Sequence, residues 1–111
     1  MSNTAGSANF ASRTSAAVAN VSIASSGNNT VIAAVAGTTI RIVKIALGVA
    51  SGSSVTAVLQ SGSSTSLGTY YLGSMVLDME NNPLTLAAGQ AFVINLSGAT
   101  QTYGQVWYQQ D

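Results

Sequence analysis

Apolar side chains in this chain recur at every second position, in short runs separated by clusters of Ser, Gly, Asn and Thr. Ala17, Ala19, Val21 and Ile23 alternate with Val18, Asn20 and Ser22, the pattern of a strand with one buried face. Phe92, Ile94 and Leu96 alternate with Val93, Asn95 and Ser97, and Val106 and Tyr108 alternate with Gln105, Trp107 and Gln109. Helical spacing is sustained nowhere. Such a chain must fold as sheets, and each sheet must bury its apolar face against another layer.

The segments between these runs set the rhythm. Residues 25–29 (Ser-Ser-Gly-Asn-Asn) read as a turn. Residues 30–36 are continuously apolar after Thr30 and stop at Gly37, which predicts a strand covered on both faces. Ser-Gly-Ser-Ser occurs at residues 51–54 and again at 61–64, framing a six-residue strand from Val55 to Gln60. Residues 69–77 are rich in aromatic and branched side chains, with Gly73 marking a bend. Residues 78–83 (Asp-Met-Glu-Asn-Asn-Pro) predict a loop crossing from one sheet to the other. Leu84 and Leu86 open a short strand ending at Ala88 and Gly89, and residues 98–102 turn the chain into the final strand. The sum is seven or eight strands in an all-β, antiparallel two-sheet sandwich, jelly-roll-like.

One segment breaks the alternation in an informative way. Ile40 and Ile42 share a face with Arg41 opposite, but Ile45, Leu47 and Val49 continue one step out of phase, with Lys44 and Ala46 opposite. A one-residue shift moves side chains to the other face. A β-bulge near Val43 and Lys44 would reset the phase and bend the strand. The alternative is a strand buried on both sides, its cations snorkelling or paired.

Charge is nearly absent. Three basic residues (Arg13, Arg41, Lys44) and three acidic ones (Asp78, Glu80, Asp111) make 5% of the chain, against about 25% in an ordinary soluble domain. So little repulsion leaves little protection against self-association. Sheet edges add to the exposure, because natural edges are blunted with Lys, Pro or inward charges, and this chain has one Lys and one Pro. The expectation is a homo-oligomer, a small closed ring with a trimer as its expected form. Arg41 and Lys44, with Asp78 and Glu80, are then expected near the contacts between subunits. Zero net charge and three scattered cations argue against nucleic acid. No run reaches the roughly 18 apolar residues of a membrane-spanning helix, and the opening residues lack the pattern of a secretory signal; neither membrane nor secretion is expected.

Residues 1–16 hold Ser, Ala, Asn, Gly and Thr, interrupted by Phe10 and Arg13. That composition reads as an N-terminal arm, flexible or partner-bound with Phe10 as anchor, ahead of one sandwich domain over residues 17–111.

Little chemistry is available. The chain has no His and no Cys, which removes the commonest general base, thiolates and Cys-based zinc sites. A Ser–Lys dyad on Lys44 has no motif around it. Asp78 and Glu80 could work as a carboxylate pair or begin a calcium site, but Ca²⁺ needs six to eight oxygens. A solvated loop or a salt bridge to a neighbouring subunit is the better reading. No catalytic, metal or cofactor residues are expected, and the chain reads as non-enzymatic. Three Asn-x-Ser/Thr sequons, at Asn20, Asn28 and Asn95, carry no weight without a signal peptide. Trp107, between Gln105 and Gln109, is a core-edge or interface anchor in the first reading. In the second it is a sugar-stacking platform, which would make the chain a carbohydrate-binding module.

The succession at residues 29–42 (Asn-Thr-Val-Ile-Ala-Ala-Val-Ala-Gly-Thr-Thr-Ile-Arg-Ile) resembles the opening of small β-sandwich virion proteins of tailed bacteriophages. Residues 86–97 (Leu-Ala-Ala-Gly-Gln-Ala-Phe-Val-Ile-Asn-Leu-Ser) and 104–108 (Gly-Gln-Val-Trp-Tyr) resemble their closing hairpin. The likeness spans about residues 28–110 and consists of strand and turn patterns rather than catalytic signatures. It implies a capsid decoration (cement) protein, made in the host cytoplasm and seated on the outer surface of the virion head. Its partners would be the major capsid protein and copies of itself. The implied subunit or capsid contacts are Phe10, Arg13, Arg41, Lys44, Asp78, Glu80 and Trp107. The alternative is a carbohydrate- or receptor-binding head module of a phage tail or fibre, with Trp107 as its platform.

Overall fold

A computed structural model describes residues 16–111. The strands are β1 (Ala17–Ile23), β2 (Gly27–Ile32), β3 (Ile40–Val49), β4 (Val55–Ser61), β5 (Thr65–Leu72), β6 (Ser74–Asp78), β7 (Leu84–Thr85), β8 (Phe92–Leu96) and β9 (Thr102–Gln110). They form two antiparallel sheets. The first has the order β1-β9-β3-β6, with β7 also on β3, and the second has the order β2-β8-β4-β5. The pairs are nested along the chain: β1 with β9, β2 with β8, β3 with β6 and β7, and β4 with β5. One long hairpin rolled across two layers gives this pattern, and it is a jelly roll.

The predicted alternation holds where one face is buried. Val21, Ile40, Ile42, Ile45 and Leu47 from the first sheet meet Val55, Ala57, Leu59, Phe92, Ile94 and Leu96 from the second in a single core. The phase break in β3 is a bulge. Ile42 pairs with Tyr108 and Lys44 with Trp107, so Val43 has no opposite number on β9. That extra residue lets Ile40 and Ile42, then Ile45 and Leu47, all point inward.

Several expectations are corrected. The run from Val31 to Ala36 is not a strand covered on both faces: β2 ends at Ile32 and residues 33–37 are exposed. Here the chain leaves one sheet to reach the other, and a turn closes as the Thr38 amide donates to the Val35 carbonyl (3.1 Å). The polar cluster at residues 25–29 is only half a turn, because Asn28 and Asn29 lie within β2. Their amides are satisfied there: Asn95 donates to Asn28 Oδ1 (2.7 Å) and Asn29 donates to the Ser25 carbonyl (2.8 Å). The loop after Asp78 does not change sheets, since β6 and β7 on either side of it both pair with β3. The change of sheet comes instead at Gly73, where the predicted run over residues 69–77 divides into β5 and β6, and again between β7 and β8. Nine strands result among the described residues, one of only two residues.

Candidate functional site

The outward side chains of the first sheet lie in rows set by its register. Asp78 on β6, Lys44 on β3, Trp107 on β9 and Val18 on β1 form one row. The next row is Val76, Ala46, Gln105 and Asn20. The Val43 bulge is what turns Lys44 to this face. Its ammonium stands over the indole of Trp107, 5.2 Å from the ring centroid, a cation–π contact.

A cleft of about 480 Å³ opens beside this pair, with Val43, Lys44, Glu80, Pro83, Trp107 and Gln109 on its walls. Ala16, where the described chain begins, also lines it. Glu80 arrives from the β6–β7 loop, whose turn is tightened as the Glu80 amide donates to Asp78 Oδ1 (3.2 Å). Arg41 lies one row along and pairs with Asp111, just past the end of β9, the only ion pair among the described residues.

Thus Lys44, Glu80 and Trp107 share one cleft, Asp78 flanks it through the Lys44 register, and Arg41 is engaged within its own subunit. Phe10 and Arg13 lie outside the described residues. Reading the chain alone missed Val43, Pro83 and Gln109 as cleft walls and Asp111 as the partner of Arg41. No local pattern marks that pairing, because residues 41 and 111 meet only once β3 and β9 are in register.

Every charge among the described residues lies on the first sheet or in its adjoining loop and terminus; the strands of the second sheet carry none. Large apolar side chains are exposed at Val18 (49%), Val76 (64%) and Tyr103 (53%) on the first sheet and at Tyr71 (77%) on the second. Tyr71 donates its hydroxyl hydrogen to Ser54 Oγ (2.9 Å). On the second sheet Gln60 is buried with Oε1 unpartnered. The cleft thus combines an ammonium on an aromatic ring with the Glu80 side chain.

Comparison with protein-family models, with curated proteins and with solved structures returns no match.

Proposed function

We propose that this chain is a non-enzymatic phage virion structural protein, a capsid decoration protein that docks on the outer head surface and stabilises the shell. The observation that carries the reading is the distribution of charge: a jelly roll whose second sheet has no ionised strand residue and whose exposed surface holds Val18, Val35, Tyr71, Val76 and Tyr103. A surface so built gains from being covered. Burial contributes on the order of 25 cal/mol per Å² before the costs of association, and permanent interfaces are the more apolar ones. The strand and turn likeness over residues 28–110 points the same way.

Imaging of purified particles, with and without this subunit, tests the proposal. Ordered density on the outside of the head, with a shell that ruptures at lower temperature when the subunit is missing, is the expected result. Absence of the subunit from heads overturns it. The glycan-binding alternative asks for an open aromatic platform. Trp107 is half-buried, with the Lys44 ammonium over its ring, so less of that platform is available.

A further inference from the structure

Two sheets have four edges, and three of them carry devices that discourage pairing with another chain. β2 is interrupted by a register shift between Thr30 and Ile32. β5 has one at Leu67, where Leu59 pairs with Gly68 and Gln60 with Ser66. The edge made by β6 and β7 is five residues ending in Asp78, then two residues preceded by Pro83. Bulges, short strands, charge and proline are the known means of blunting an edge. β1 has none of them. Its seven residues run in unbroken register with β9 and include no charge, proline or glycine. Among the described residues β1 pairs on one side only.

From this asymmetry we infer that β1 is the self-association edge, pairing antiparallel with β1 of a second copy to join the two first sheets into one. The inference rests on the homo-oligomer expected from the near absence of charge and names the surface. A second copy is the occupant because a chain with 5% charged residues, and none in β1, sets no repulsion against pairing with its own like, and the simplest register centres on Asn20. In that register Asn20 faces itself, Ala19 faces Val21 of the second copy, and Ala17 faces Ile23. The core-facing set thus meets the core-facing set, and Val18, half exposed in the single subunit, gains Ser22 of the second copy as its neighbour. Neither strand has a charge to oppose the other. The closure is two-fold and isologous; a ring of three built through other surfaces is the competing arrangement.

The chain has no cysteine, so one introduced thiol reports the contact. Directly opposed residues of an antiparallel pair sit about 4.5–5.5 Å apart at Cα, inside the roughly 4.4–6.8 Å window of a disulfide. Asn20→Cys under mild oxidation is expected to give a covalent species of twice the 11.1 kDa chain mass, while Ser66→Cys on the β5 edge stays single. Asn20→Lys, which sets two ammoniums face to face, is expected to weaken association on the order of fivefold. Asn20 is exposed, and circular dichroism checks that both variants keep the fold. If wild type associates but Asn20→Cys does not cross-link, or Asn20→Lys leaves association unchanged, the β1 edge is refuted and the virion role stands. If wild type is a monomer, the β1 edge is refuted as well, while the virion role is decided separately by whether the subunit is found on heads.

Discussion

Gly104 sits in the central strand β9, opposite Leu47 on β3, where the two backbones pass too closely for any side chain. A Cβ there would lie 1.9 Å from the Ala46 carbonyl oxygen, 2.9 Å from its carbon and 3.0 Å from Leu47 Cα. Ordinary carbon–oxygen contact needs about 3.3 Å, so β3 and β9 would have to part by more than an ångström, about a quarter of the spacing between strands. The obstacle is backbone, and no side-chain rotation relieves it. Overpacking costs about 1–3 kcal/mol, the sparsely populated φ (+156°) adds about 1–2, and each weakened ladder bond adds about 1. Gly104→Ala is therefore expected to lose about 3–6 kcal/mol. At about 4–8 °C per kcal/mol for a domain of this size, its melting temperature should fall by at least about 12 °C. Gly37→Ala is the control. Its φ is +81° but nothing lies within 4 Å of the added carbon, so only the left-handed backbone term of about 1–2 kcal/mol applies. Thermal melts followed by circular dichroism at matched concentration compare the two. Equal losses, or a Gly104→Ala melt within about 4 °C of wild type, would refute the reasoning.

Three further outcomes follow from the same geometry. Deleting Val43 removes the bulge and forces either Ile40 and Ile42 or Ile45 and Leu47 out of the core; at about 1.5–3 kcal/mol per side chain, urea titration should show a loss of about 3–6 kcal/mol, against a small loss for Val43→Ala. Arg41→Ala removes an ion pair whose side chains are 40% and 74% exposed, so its melting temperature should stay within about 4–8 °C of wild type. Trp107 is the single tryptophan and its fluorescence reports its surroundings directly; Lys44→Met should change the emission while costing no more than about 1 kcal/mol.

The parts of the fold visible in the residues were those where one face is wet and the other dry. There, alternation fixes the facing, as in β1 and β9, and the broken phase at Ile42 and Ile45 located the bulge. What could not be read was set by long-range register. The stretch from Ala33 to Ala36 has the composition of a buried strand, yet it is spent on the passage between sheets, and nothing local distinguishes the two uses. Similarly, Asp78 to Pro83 has the composition of a crossover but returns to the same neighbour, β3. At the candidate site, Lys44, Glu80 and Trp107 stood out because charge and indole are so rare here; their convergence depends on β9 lying between β1 and β3. The β1 edge was likewise invisible until the other three edges could be compared with it.

So nearly ion-free a sandwich is expected to keep company with copies of itself. Light scattering on the eluting full chain across the micromolar range measures this most directly. A mass at a multiple of 11.1 kDa, held on dilution, is the predicted result. A lone 11.1 kDa particle that stays dispersed as concentration rises would contradict it.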